Sequence, residues 1–341
     1  MPGALARLTR QYRPAYRSRM QARQLLVISL LVLGAAASAF AQAAPGTNVS
    51  TKEELLLKRI EAAIAAEDRS FDGVLGVAAL DLTSGRRILH NADEVFPTAS
   101  TIKIAVLAEL YRQSEQAAAG APGKARLTDP YTFRAADVVA DSSIMEGLTD
   151  GVSRVTNRDL GTFMVAVSDN AATNVLIDRL GFDNVNALLG SLGLKETRLR
   201  RKMMDLAAAR EGRENVASPR ELVDLLEAIY RGKVFGRVAT DDFLRILSLG
   251  KESPIPELIP EGVRIANKPG ALEGVRCDAG IVYATGRPFI LAVMTSYAAD
   301  ERAARAVISR LASMAYESFD RIGRSSPYGR VISERNSSSP K

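Results

Sequence analysis

Ser100-Thr101-Ile102-Lys103 sets a hydroxyl and an amine three residues apart, just ahead of the apolar run Ile104-Ala105-Val106-Leu107. On a helix that begins at Ser100, positions i and i+3 share a face, so the amine lies one turn from the hydroxyl. A serine hydroxyl is a poor nucleophile until a neighbouring base takes its proton. The first turn of a helix also offers free backbone N–H groups and a positive dipole end, which favour a developing oxyanion. One short segment could therefore carry a nucleophile, its base and part of an oxyanion hole. By itself the pair is weak, because most such pairs form a solvated helix face.

Two further segments share the same chemistry. Ser168-Asp169-Asn170 interrupts an apolar stretch, between Phe163-Met164-Val165-Ala166-Val167 and Ala171-Ala172-Thr173-Asn174-Val175. Polar residues there need partners, because burial without them is costly. They are either caps of a helix-to-helix turn or a polar wall facing a cleft. Lys268-Pro269-Gly270 ends the strand-like run Val263-Arg264-Ile265-Ala266-Asn267. It is either a simple turn or an edge strand carrying a lysine into a cleft, since proline in a sheet is confined to edges and bulges.

The elements that must position these groups follow from periodicity. Thr51-Lys52-Glu53-Glu54 reads as a capping-box start, with Leu56, Ile60 and Ile64 on one helix face. Val74 to Leu82 and Arg86 to His90 read as strands about a Ser84-Gly85 turn. From Ser100 to about Leu249 the pattern is helical, and Ser218-Pro219-Arg220-Glu221 opens another capped helix. Val263 to Lys268, Cys277 to Ala284 and Pro288 to Ser296 read as strands, and Asp300 to Phe319 as a closing amphipathic helix. The expected class is α+β, an α/β sandwich. An antiparallel sheet of about five strands, drawn from 51–99 and 256–320, is covered by the terminal helices. An all-helical lobe, 100–255, is inserted into it. Ser100 and Lys268 then meet at the junction of the lobes, where ligand sites usually lie. Residues 321–341, rich in Ser, Arg and Pro, read as a mobile tail.

Composition excludes several alternatives. With one histidine (His90) and one cysteine (Cys277), a Cys/His zinc site and an intrachain disulfide are unavailable, and a Ser-His-Asp hydrolase would have to use His90. His90 sits in a hairpin-like return and is expected at the surface; Cys277 is expected to be a small buried hydrophobe. No metal or organic cofactor is implied. The formal charge of +6 belongs to Arg7, Arg10, Arg13, Arg17, Arg19 and Arg23, which precede any acidic residue. The basic balance is thus no argument for nucleic-acid binding. Leu25 to Ala37 is apolar, and Ala39-Phe40-Ala41 is an A-x-A cleavage site, so residues 1–41 read as a signal peptide, with Met20 an alternative start. That implies a periplasmic or secreted protein without stable membrane insertion once the leader is removed. An uncleaved anchor over Leu25 to Ala44 is the alternative.

Taken in order, Ser-x-x-Lys, Ser-Asp-Asn and Lys-x-Gly form the set found in class A β-lactamases and penicillin-binding proteins. From about Thr51 to about Phe319 the chain resembles the class A β-lactamase family, through Phe96 to Lys103, Leu148-Thr149-Asp150-Gly151 and Ser168 to Ala172. The resemblance implies a β-lactamase/transpeptidase-like fold. It makes Ser100 the nucleophile and Lys103 its base, with the backbone N–H groups of Ser100 and Ala271 as oxyanion donors. Ser168 would pass a proton to the leaving nitrogen, and Asn170 would bond the substrate's amide side chain. Asp169 would brace the turn, and Lys268, Gly270 and Arg276 would line the place of the substrate carboxylate.

Two departures stand out. Where the family has Glu-x-x-Leu-Asn, with a glutamate that activates the deacylating water, this chain has Met203-Met204-Asp205-Leu206-Ala207. Asp205 is the available substitute base. Pro269 replaces the hydroxyl residue between Lys and Gly, removing a hydrogen bond to the substrate carboxylate worth about 1.5–3 kcal/mol. The implied activity is a serine hydrolase that opens β-lactams through an acyl-enzyme. A D-alanyl-D-alanine peptidase or esterase, and a sensor or pseudo-enzyme that stays acylated, remain open. The partner is a small molecule, a β-lactam or an acyl-D-alanyl-D-alanine-like compound, acted on by a monomer.

Overall fold

The computed structural model describes residues 51–332. The signal peptide expected over 1–41 and the tail from 333 onward lie outside the described residues. Helix α1 (Thr51–Ser70) buries Leu57, Ile60 and Ile64, one helical stripe; Leu57, not Leu56, takes the fully buried position. Strands β1 (Val74–Asp81) and β2 (Arg87–His90) form a hairpin. Its turn is held by the Asp81 carboxylate, which accepts the Thr83 N–H (2.9 Å) and the Ser84 hydroxyl (2.6 Å). Strand β3 (Phe96–Pro97) and a short 3-10 turn (Ala99–Ile102) lead into α2 (Lys103–Ala118).

The middle of the chain departs from the expected all-helical lobe. Beside α3 (Asn157–Ala166), α4 (Asn170–Leu180), α5 (Phe182–Ser191) and the short α6 (Leu206–Arg210) it contains two small strand pairs. Strand β4 (Pro130–Thr132) pairs with β5 (Arg154–Thr156), and β6 (Val216–Ala217) pairs back to β3. The reason is local: buried Tyr131 and its β-branched neighbour Thr132 suit extended backbone. Helix α7 (Pro219–Tyr230) begins as expected, with Pro219 in its first turn and the Ser218 side chain accepting the Glu221 N–H. The Glu221 carboxylate does not close a capping box. It accepts the N–H groups of Lys195, Glu196 and Thr197 instead. Helix α8 (Arg237–Leu247) completes this region.

Strands β7 (Ile265–Leu272), β8 (Val275–Val282) and β9 (Phe289–Ser296) finish one antiparallel sheet of order β2-β1-β9-β8-β7. The two ends of the chain meet at β1 and β9, Ala78 opposite Ala292. Side chains alternate between two cores. Ala78, Leu80, Ala279 and Met294 join the helical side, against which α7 packs. Leu75, Val77, Leu291 and Val293 join α1 and α9 (Glu301–Gly323), with Phe289 stacked on Phe319 at 4.6 Å. Covered on both faces, β1 and β9 read as nearly continuous apolar runs rather than alternating ones. Helix α9 runs past Phe319 to Gly323, and Ser325 bridges to Val331, so the segment expected to be tail begins as ordered chain. Lys268-Pro269-Gly270 lies inside β7 rather than at its end. Because β7 is an edge strand, Pro269 can lack an N–H without breaking the ladder.

Candidate active site

The nucleophile segment is held from both sides. Thr98 donates its N–H (2.9 Å) and hydroxyl (3.0 Å) to the Asn215 carbonyl, and Thr101 donates its hydroxyl to the Thr98 carbonyl (2.6 Å). Ala99 takes φ 47°, left-handed backbone that a non-glycine residue rarely adopts. Ser100 therefore sits half-buried in a 3-10 turn, and the α-helix proper begins at Lys103, three residues later than the spacing predicts.

Ser168, also left-handed at φ 58°, joins the pieces. Its hydroxyl donates to Ser100 Oγ at 2.9 Å and accepts from Lys103 Nζ at 3.1 Å and Lys268 Nζ at 3.0 Å. One donor and two lone pairs are thereby used, which is all a hydroxyl has. Lys103 Nζ donates also to the Ser168 carbonyl (2.7 Å) and Asn170 Oδ1 (2.8 Å). No hydrogen bond joins Lys103 directly to Ser100 among the described residues: the amine's bonds go to Ser168 and Asn170, and Ser168 links it to Ser100.

Both readings of Ser-Asp-Asn hold, on different residues. Asp169, fully buried, caps α4 through the Ala172 N–H (2.9 Å) and accepts the Ile144 (3.0 Å) and Met145 (2.9 Å) N–H groups. Asn170 lines the cavity, and its Nδ2 donates to the Ala140 carbonyl at 3.1 Å. From the sheet, Lys268 is 1% exposed and donates to Ser168 and to the Pro269 carbonyl (3.1 Å). A Cβ on Gly270 would lie 2.6 Å from the Thr98 carbonyl and 2.9 Å from Ser100 N, so this glycine lets β7 close on the nucleophile segment. Ala271 and Arg276 also line the cavity, and the Arg276 guanidinium pairs with Glu301.

Burial sets the charges. The Lys268 amine falls to about 7, through desolvation and the nearby Lys251, with Asp278 opposing. Lys103 lies well below the ordinary lysine value, through desolvation and then Lys268, with Asp169 and Asp141 opposing. Burial and the neighbouring Lys268 favour the neutral amine, the form that can accept a proton; it then keeps two of its three contacts as donations and accepts at the Ser168 hydroxyl.

The loop before α6 shows the sharpest difference from expectation. Met203 lines the cavity, its N–H on Asn174 Oδ1 (2.8 Å) and its carbonyl on Asn174 Nδ2 (3.1 Å). Asp205, proposed from the sequence as a base, is exposed, caps α6 by accepting the Ala208 N–H (2.9 Å), and does not line the cavity. Met204, at φ 63°, turns the chain into that short helix, and the carboxylate is used to start it. Asp141 and Glu252 supply the lining carboxylates.

The whole forms a cavity of about 770 Å³. Four lining residues (Ala99, Asp141, Ser168 and Met204) are non-glycines with positive φ. Such strain, about 1–3 kcal/mol each, gathers where a site overrides local preference. Sequence reasoning missed Asp141, Asn215 and Asn174. Asn174 alone left a signal: it stands four residues after Asn170, so two polar side chains share a face of an apolar helix. His90, at the end of β2 on the opposite sheet edge from β7, lies 2.9 Å from Asp68 of α1. Cys277 is buried, and its thiol is pushed up to about 12 by desolvation. Among the described residues no group of three or more His, Cys, Asp or Glu side chains is arranged to hold a metal ion.

Known proteins resemble this chain in sequence and fold. The β-lactamase enzyme family model matches residues 56–319. The carbapenem-hydrolysing β-lactamase KPC of Klebsiella oxytoca is 30% identical over 260 residues, 73% of this chain and 85% of that protein. The crystal structure of a β-lactamase from Sphaerobacter thermophilus superposes with a TM-score of 0.67 at 30% identity, over 76% of this chain and 95% of the other. A mutant of PBP-A, solved as an acyl-enzyme complex with penicillin G, superposes with a TM-score of 0.67 at 26% identity, over 78% and 97%. Sequence, fold and the ordered motifs agree, and the chain belongs to the class A β-lactamase family.

Proposed function

We propose that the protein is a serine hydrolase that opens the β-lactam amide through an acyl-enzyme on Ser100, and that release of the acyl group is slow. The observation carrying this reading is the Ser168 hydroxyl, hydrogen-bonded at once to Ser100 Oγ, Lys103 Nζ and Lys268 Nζ. Neutral Lys103 takes the Ser100 proton, directly or through Ser168, as Ser100 Oγ attacks the carbonyl. The oxyanion forms against the Ser100 and Ala271 N–H groups. As the ring C–N bond breaks, Ser168 gives its proton to the leaving nitrogen and is recharged by a lysine. Lys268, with Arg276 beside it, attracts the substrate carboxylate; Pro269 adds no donor there.

Deacylation needs a base to activate water. Met203 occupies that place, and Asp205 is committed to α6. This favours a second reading, a penicillin-binding sensor that stays acylated. An acyl-D-alanyl-D-alanine peptidase or esterase would use the same Ser100 chemistry. Intact-mass spectrometry over time with penicillin G separates them. A one-to-one adduct, absent in Ser100→Ala, supports acylation, and its decay time separates turnover from trapping. No adduct on the wild-type protein would remove β-lactams as substrates, and release of D-alanine from a muropeptide would then favour the peptidase. The arginine-bearing leader and its A-x-A site support a periplasmic or secreted location, and a mature N-terminus at Gln42 checks it.

A further inference from the structure

The cavity is lined by groups of both charges. Lys268 and Arg276 come from the sheet, and Asp141 from the loop between β4 and β5, which packs against the start of α4. That loop is tightly built. The Ser142 hydroxyl donates to the Val139 carbonyl (2.6 Å) and accepts the Ala171 N–H (3.0 Å), and the Asp169 carboxylate holds the Ile144 and Met145 N–H groups. Asp141 itself is fixed at φ 57°, and its carbonyl accepts the Asn170 N–H at 3.2 Å. Among the described residues its carboxylate makes no hydrogen bond and no ion pair, whereas the Asp169 carboxylate that braces the same loop is fully engaged. Asp141 is thus an exposed, strained residue clamped beside Asn170 in the cavity that holds Ser100, its carboxylate in electrostatic range of Lys103 but in no hydrogen bond or ion pair.

We propose that Asp141 is a specificity subsite for a protonated amine on the acyl side chain of the substrate. The preferred ligand is zwitterionic: its carboxylate lies toward Lys268 and Arg276, and its side-chain ammonium toward Asp141. This rests on the reading that Ser100 is acylated by β-lactams, and it adds which of them react fastest. An exposed ion pair supplies a modest factor, so the expected preference is about two- to fivefold, and it shrinks as salt screens the charges.

Ampicillin and penicillin G test this, because they differ by one amine on the same aromatic side chain. Acylation rates are measured by intact mass at limiting drug and low ionic strength, at a pH where the amine is protonated. The readout is the ampicillin-to-penicillin G ratio, which cancels any effect of Asp141 on Lys103. Asn tolerates left-handed backbone well, so Asp141→Asn keeps the loop. The wild-type ratio is expected above one, falling to that of a neutral site in Asp141→Asn and further in Asp141→Lys. An unchanged ratio in both variants, or a wild-type ratio that salt does not lower, overturns the subsite. Absence of any adduct with either drug overturns the acylation reading first, and the subsite with it.

Discussion

Ser168 has more to do than protonate a leaving group. Its hydroxyl is the only side-chain partner that Ser100 Oγ has among the described residues, and both lysines converge on it. Removing it in Ser168→Ala should slow acylation by about 10²–10⁴-fold, the usual range for a proton-transfer group. Adduct formation followed by mass checks this, and a loss under about threefold would show that Lys103 reaches Ser100 unaided. The same cluster dictates a pH profile. Acylation needs Lys103 neutral, so the rate climbs with pH as that amine deprotonates. It also needs Lys268 charged to hold the substrate carboxylate, so the rate falls again above about 7. Burst rates across this range should be bell-shaped, and a rate still rising at the alkaline end would contradict the assignment. Met203 makes the complementary case. Its backbone is clamped by Asn174 and its side chain faces the cavity, so Met203→Glu would put a carboxylate there without rebuilding the loop. The lifetime of the penicillin G adduct should shorten by about a hundredfold, a moderate value for a restored general base; an unchanged lifetime would mean that the base is not what limits release.

At the scale of elements, site geometry is set by how closely β7 approaches the turn that carries Ser100. Gly270 is the contact point, and the Cβ of Gly270→Ala would meet backbone atoms of Thr98 and Ser100 rather than a movable side chain. The strand must back away, at a cost of about 1–3 kcal/mol typical of overpacking, and the oxyanion donors separate with it. Urea denaturation and acylation rate should both report the loss; a full-rate, full-stability variant would show that the close approach is not needed. These elements differed in how plainly they could be read beforehand. The sheet was legible, because β1 and β9 are apolar runs, β2 returns across the Ser84-Gly85 turn and β8 leads to the Thr285-Gly286 turn, while the edge place of β7 was one of two readings that Pro269 left open. The motifs brought Ser100, Lys103, Ser168, Asn170 and Lys268 together in thought before the coordinates did. What could not be read was backbone conformation. Positive φ at Ala99, Asp141, Ser168 and Met204 belongs to residues with no glycine signature, and it is enforced by distant partners such as Asn215 and Asp169. Asp205 illustrates the consequence. Two positions from Met203 in sequence, it is removed from the cavity because the turn at Met204 makes it a helix cap.

At the scale of the molecule, the site puts ionisable groups where the fold would otherwise be apolar. Lys103, on α2, and Lys268, on β7, are both buried, and behind Lys268 stands a second buried group in which Asp278 accepts from Asn267 Nδ2 (2.8 Å), the Ile255 N–H (3.0 Å) and the Ser253 hydroxyl. Lys251 closes it, donating to the Leu247 and Leu249 carbonyls while its amine falls to about 8 through desolvation, opposed by Asp278. Buried lysines of this kind burden the folded state near neutrality, because unfolding lets each take up its proton at the ordinary value of 10.5. Between about 7 and 10.5 the unfolded chain binds more protons than the folded one, and stability must therefore rise with pH. The buried Cys277 thiol acts the other way once pH exceeds its ordinary value of 9.0, because only the unfolded chain then releases that proton. The urea midpoint should consequently increase from about pH 7 to about pH 9 and level off beyond it. Replacing Lys268 by Met should remove part of that slope and raise the midpoint at pH about 7 while abolishing efficient acylation, since a well-packed apolar group carries no such burden. A midpoint that declines from neutrality to about pH 9 in the wild-type protein would mean that the buried amines stay protonated inside the fold, and Lys103, lowered by the same burial, would lose its support as the base for Ser100.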